Sequence, residues 1–233
     1  GGFPELIDLD DTLKIKKLQD YFNTIIYRDL IERYDISNSL VLKFFLKRIL
    51  SQVTKPVSVN RIWNDLRSMG YRVGNNTLYE YADHIQTAFA SLMINKFDYS
   101  PIRQEKGEKK AYAIDNGILT AVDWSFSENH GKLLENLVAL ELLKSGKDVM
   151  YFSDTRECDF IITEKLSWSA IQVCYSLKES DTYERETDGL VNACKYLKLK
   201  SGTILTYEEE SEIKKDDITI EVLPAYKYVL ERL

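Results

Sequence analysis

The sequence predicts an α/β protein, α+β overall, with an N-terminal helical and winged helix-turn-helix part followed by a mixed-sheet domain. Two apolar patterns and one charge pattern lead to this. From residue 38 to residue 115 the order reads helix, short helix, turn, longer helix and two strands. Beyond Asp115 it reads α-β-β-β-α-β with an extra strand and a tail, the alternation of a mixed sheet with helices on its faces. Net charge is −6, but residues 1–42, 43–115 and 116–233 carry −3, +5 and −8, which predicts units with different partners.

In order, "DDTLKIKKLQDYFNTIIYRDLIERY" opens on Asp10 or Asp11 as N-cap, and Leu13, Leu18, Phe22, Ile25, Ile26 and Leu30 recur at helical spacing. "NSLVLKFFLKRILSQV" is a second helix capped by Asn38 or Ser39. After Pro56, Ser58 caps a short helix with Ile62, Leu66 and Met69 inward, which Gly70 ends. The turn "YRVGNN" leads to "NTLYEYADHIQTAFASLMI", with Leu78, Tyr81, Ile85, Phe89 and Leu92 as its inner stripe. Strands "NKFDYSP" and "KKAYAID" follow, joined by the polar loop "IRQEKGE". In the second part "HGKLLENLVALELLKSG" is a helix closed by Gly146. Strands are expected at "DVMYFSD", "ECDFIITE", "WSAIQVCYS", "GTILTYE" and "DITIEVL". The helix "TYERETDGLVNACKYLKL" falls between the third and fourth of these, and "PAYKYVLERL" is a last short helix.

Composition narrows the class. Hydrophobic residues at 44% and charged residues at 29% predict a folded globular chain without a large disordered portion. No apolar run approaches the roughly 20 residues needed to span a bilayer, so no membrane partner is expected. Three cysteines without a Cys-x-x-Cys spacing argue against a zinc site or a disulfide framework and fit a reducing cytoplasm. The opening "GGFPELIDLDD" lacks a Met and reads as the start of an expressed fragment. His84 and His130 share no metal-like spacing and read as solvated or capping residues.

Taken together, the "GGFPE" opening, "YRDLIERYDI", and "GKLLENLVALELL" followed by "ECDFII" and "IQVCYSL" carry a resemblance. The chain resembles the C-terminal half of bacterial and archaeal predicted AAA-type ATPases. In these a P-loop domain precedes a winged-helix segment and a restriction-endonuclease-like PD-(D/E)XK domain of unknown function. The resemblance implies three parts. Residues 1–35 would be a helical connector from an upstream ATPase domain, 36–115 a winged-helix-like domain, and 116–233 a nuclease-like domain without activity. It implies ATP upstream. No Gly-x-x-x-x-Gly-Lys-Ser/Thr occurs in these residues, so no cofactor is expected here.

The resemblance also implies a site. In the nuclease fold a helix Glu, a strand Asp and a Glu-x-Lys on the next strand hold Mg²⁺ and steady the attacking hydroxide. The matching positions here are Glu135, Asp159, Gln172 and Cys174. Gln172 keeps a carbonyl oxygen but loses the negative charge, and Cys174 supplies no permanent cation. Lys178 shares strand parity but starts roughly 13 Å beyond Cys174 on an extended strand. The expectation is a degenerate remnant with no catalytic residues, Glu135 and Asp159 being weak metal candidates. The alternative is a metal-dependent nuclease with an atypical site, in which case Mg²⁺ is its cofactor. Arg185 and Glu186 form a second candidate site, to orient Asp159 or to receive another domain; a solvated first turn is the plain reading.

For the winged segment, Arg103, Lys106, Lys109 and Lys110 on the wing suit phosphate, and Arg61, Arg67 and Arg72 add charge. Asn75, Asn76 and Thr77 start the candidate recognition helix, where base contacts fall. Glu80 and Asp83 on its outer face oppose a phosphate lattice. Double-stranded DNA and a protein partner both remain open, with the upstream ATPase domain as a partner in the same chain and an oligomer compatible with the pattern.

Overall fold

The computed structural model describes residues 2–122, 129–165 and 167–232. Gly1 of the opening stretch and Leu233 of the tail lie outside them. The protein is α/β, with an N-terminal helical part and a C-terminal six-stranded mixed sheet. It divides into two compact units, Gly1–Met93 with Glu108–Asn129, and Ile94–Gly107 with His130–Leu233. Among the described residues no helix is long and apolar enough to cross a membrane.

The first unit starts with α1 (Asp11–Thr24). Asp10 is its N-cap, accepting the Leu13 N–H at 3.0 Å. The chain continues without a break into a π-helical segment, Ile25–Glu32, which the sequence pattern does not distinguish from an α-helix. Asn38 caps α2 (Ser39–Leu50) by accepting the Val41 N–H at 3.2 Å. Strand β1 (Pro56–Val57) precedes α3 (Val59–Ser68), whose cap is Ser58, and α4 (Asn75–Thr87) follows. Leu42, Phe45, Leu46, Ile49, Ile62, Leu66, Leu78 and Ile85 are fully buried where these helices meet. Burying each such side chain is worth about 1.5–3 kcal/mol before chain entropy is counted.

Met69 and Phe89, expected on inner stripes, are instead 55% and 65% exposed. Each lies just past its helix, α3 ending at Ser68 and α4 at Thr87, so the helical period no longer carries them inward.

Strands β2 (Leu92–Ile94) and β3 (Lys109–Tyr112) complete a small sheet of order β1-β3-β2. The helix-turn-helix order is therefore present together with a three-stranded sheet. The wing differs from expectation. "NKFDYSP" is not a strand, since β2 ends at Ile94, and the "IRQEKGE" loop contains a helix, α5 (Pro101–Lys106). Pro101 at the helix start explains this, because its fixed φ and missing N–H suit a first turn.

Helix α6 (Asn116–Val122) follows residue 115, where the second part was expected to begin, yet it packs on α1 in the first unit. Leu6, Leu18, Ile118 and Ala121 form that core. Asp115 accepts the Gly2 N–H at 2.5 Å and the Ile118 N–H at 2.8 Å, tying the start of the chain to the start of α6.

In the second unit α7 (His130–Lys144) leads to β4 (Asp148–Ser153), β5 (Glu157–Glu164) and β6 (Ser167–Val173). Helix α8 (Ser180–Leu197) crosses to β7 (Ser201–Thr206), and then come β8 (Ser211–Lys215), β9 (Ile218–Pro224) and α9 (Ala225–Arg232). The sheet order is β4-β5-β6-β7-β9-β8. Strands β4, β5 and β6 pair antiparallel, β6, β7 and β9 pair parallel, and β8 closes the edge antiparallel to β9. Strand β8 was missed because "SEIKK" is short and charged, the composition of an edge strand.

Candidate functional site

Register places the site. Phe160 pairs with Ile171 across β5 and β6, so the next residues, Asp159 and Gln172, face each other. Both are buried. One Asp159 carboxylate oxygen accepts the Val173 N–H at 3.0 Å, and the Gln172 side-chain carbonyl accepts the Asp159 N–H at 3.1 Å. The Gln172 amide nitrogen then donates to Glu186 on α8 at 2.5 Å. Arg185 donates to the other Glu186 oxygen at 2.7 and 3.0 Å.

The helix can come this close because of Gly189. A Cβ there would sit 2.3 Å from the Glu157 carbonyl oxygen. With no side chain at that point α8 lies against β5, and Glu186, one turn earlier, reaches Gln172.

The charges are unequal partners. Burial raises the Glu186 pKa above the ordinary carboxylate value; the Arg185 and Gln172 hydrogen bonds oppose this, and nearby Asp159 adds to it. The Arg185 pKa is raised, chiefly by its hydrogen bond to Glu186. A cavity of about 360 Å³ opens here, lined by Glu135, Arg156, Asp159, Gln172, Arg185 and Glu186 among others. Three of the four positions singled out by the resemblance therefore share one place with the second candidate site. Glu135, Asp159, Gln172, Arg185 and Glu186 converge on one cavity, and Cys174 does not line it.

Cys174 is buried in the apolar core with Leu190 and Cys194. Its thiol is pushed up to about 12, by burial first and then by Glu186, Glu209 and Asp159. It therefore supplies neither a cation nor a thiolate. Lys178 is exposed, and β6 ends at Val173, so strand parity does not carry it to the cavity.

A Mg²⁺ site needs several oxygens free to converge on one point. Here the Gln172 oxygen is taken by a backbone N–H, one Asp159 oxygen by another, and Glu186 is shared by Arg185 and Gln172. Among the described residues no group of three or more His, Cys, Asp and Glu side chains is placed to hold a metal ion. The donor set does not fit the magnesium centre that the resemblance implies for an active member.

The DNA candidates divide between the units. Arg61, Arg67, Arg72 and Asn76 are exposed in the first, beside the half-buried Asn75 and Thr77. Asn75 donates to the Asn60 side chain at 2.8 Å, and the Arg67 guanidinium lies 4.7 Å from the centre of the Trp63 ring. Lys109 and Lys110 belong to the same unit. Lys110 is fully buried, so the phosphate contact expected of it is corrected: its position in β3 turns it inward. Arg103 and Lys106 lie on α5 in the second unit, where Arg103 bonds Asp98 at 3.1 Å. The histidines are also more engaged than expected. His84 stacks on Tyr34 at 3.8 Å, and His130 lies 5.3 Å from the Tyr175 ring.

Sequence reasoning missed the Gln172–Glu186 link and Gly189. A signal existed: Glu186, Leu190, Cys194 and Leu197 follow one helical stripe, so Glu186 points where apolar side chains point.

The relatives agree in extent. An uncharacterized protein of Methanocaldococcus jannaschii is 33% identical over 242 residues, covering 99% of this chain and 54% of that protein. An uncharacterized protein of Haemophilus influenzae is 28% identical over 193 residues, covering 82% of this chain and 48% of that protein. The chain therefore spans about half the length of the curated relatives it matches. The family model described as "Domain of unknown function (DUF4143)" matches residues 130–228. The chain belongs to the family described as "Domain of unknown function (DUF8612)", whose model matches residues 1–129.

Proposed function

We propose that this chain is the C-terminal recognition and regulatory portion of a longer P-loop ATPase of the AAA type. In this reading it binds double-stranded DNA through the winged-helix segment and keeps a nuclease-type fold without nuclease chemistry. ATP belongs to the upstream domain, and the work is done in the cytoplasm, where three unpaired thiols stay reduced. The observation that carries the loss of chemistry is Gln172. Both ends of its amide are engaged, one by the Asp159 N–H and one by Glu186, so the strand position that should ligate metal serves as a brace instead. Support for DNA comes from the helix-turn-helix order and from exposed Arg61, Arg67 and Arg72.

The test is a duplex-DNA mobility shift at rising salt. Binding should fall steeply with ionic strength, and replacing Arg61, Arg67 and Arg72 by Ala should flatten the log–log slope by about one unit per lost phosphate contact. Absence of any shift at low salt overturns the DNA reading in favour of a protein-docking module.

A further inference from the structure

A second feature lies away from the cavity. In the second unit Phe97, Tyr99, Phe152, Trp168 and Tyr196 form one aromatic cluster. Phe97 and Phe152 are 6% and 2% exposed and form its floor. Tyr99 and Tyr196 stack at 5.6 Å with their planes 23° apart, and they remain 55% and 44% exposed. Trp168 meets Tyr99 edge-on at 5.7 Å. Three segments contribute: the stretch leading into α5, the β5–β6 hairpin, and the last turn of α8.

Those same segments are basic within an acidic unit. Residues 94–107, 164–168 and 195–200 carry seven Lys and Arg against three Asp and Glu, whereas the rest of the unit carries ten against nineteen. Arg103 and Lys195 are paired, with Asp98 and Asp216. Lys106, Lys165, Lys198 and Lys200 are exposed and form no ion pair among the described residues. Lys198 ends α8 in the left-handed conformation, two residues after Tyr196, and Lys165 sits at the tip of the hairpin that carries Trp168.

Exposed aromatic rings on a rigid floor, rimmed by lysines, suit unpaired bases on a phosphodiester backbone: the rings stack, and the ammonium groups follow the phosphates. We propose that this face binds single-stranded DNA. The choice of DNA over RNA rests on the duplex-DNA reading of the winged segment; the stacking surface itself does not.

Fluorescence anisotropy of labelled oligo(dT) with the intact chain tests this. Y99A/Y196A should weaken binding at least about fivefold, the low end of losing one stacked base. Y99F/Y196F, which keeps the rings, should bind as the native chain does. K198A/K200A, on the open surface, should lower both the affinity and the salt slope. An affinity for oligo(dT) that none of these variants changes overturns the proposal, as does no binding at low salt. Preference for oligo(U) over oligo(dT), lost in Y99A/Y196A, overturns the choice of DNA. R61A/R67A/R72A separates the two readings: it should weaken duplex binding and flatten its salt slope while leaving oligo(dT) binding intact.

Discussion

Gln172 and Glu186 are joined by an amide-to-carboxylate hydrogen bond of 2.5 Å that links β6 to α8 in a buried setting. A glutamate at position 172 would press one carboxylate against another. Gln172→Glu should therefore destabilise the second unit by about 1–3 kcal/mol, the cost of leaving buried polar groups mismatched. The double variant Gln172→Glu with Glu186→Gln restores one amide and one acid, and should recover most of the loss in a urea titration. Equal instability of the single and double variants would show that the link is not what matters.

Glu186 also predicts a pH dependence. Its folded-state pKa is raised, so the folded protein holds the proton more tightly than the unfolded chain. Its contribution is fully present below the ordinary glutamate pKa and is lost as pH rises through the raised folded value. Unfolding free energies of the native chain should fall across that window. Glu186→Gln, which cannot ionise, should show a flatter profile there.

Gly189 sets the helix position. In Gly189→Ala the new Cβ meets a backbone oxygen, which cannot rotate away as a side chain can. Either α8 lifts or β5 bends, at a cost of about 1–3 kcal/mol. A melting temperature equal to that of the native chain would contradict the close approach.

The thiols give a simple check. Cys158, Cys174 and Cys194 are buried, and burial pushes both Cys174 and Cys194 up to about 12. At pH 8 the folded chain should react only slowly with a thiol reagent, and the unfolded chain should react rapidly at all three. Rapid modification of Cys174 in the folded state would place it in solvent.

How much of this was legible beforehand follows from which interactions are local. Asp10, Asn38 and Ser58 cap helices through residues three positions on, so their signals lie within a few letters of sequence. Helix and strand periods likewise give α2, α4, α7, β5 and β6. The wing was misjudged because polar composition alone does not separate a loop from a six-residue helix starting at Pro101. Five of the residues that line the cavity, Glu135, Asp159, Gln172, Arg185 and Glu186, are singled out by the sequence, which does not show that they meet. Glu186 is 14 positions from Gln172, and only the crossover from β6 through α8 folds it back. Lys110 illustrates the converse: charge suggests surface, but its place in a three-stranded sheet decides burial.

The proposed reading of the second unit as a nuclease-type fold without nuclease chemistry turns on the Gln172 brace between Asp159 and Glu186. The direct measurement is incubation of the purified chain with supercoiled plasmid and Mg²⁺ or Mn²⁺, beside an Asp159→Asn variant. Both preparations are expected to leave the plasmid intact. Metal-dependent cleavage by the native chain, abolished by Asp159→Asn, would contradict that reading and establish an active nuclease with an atypical site.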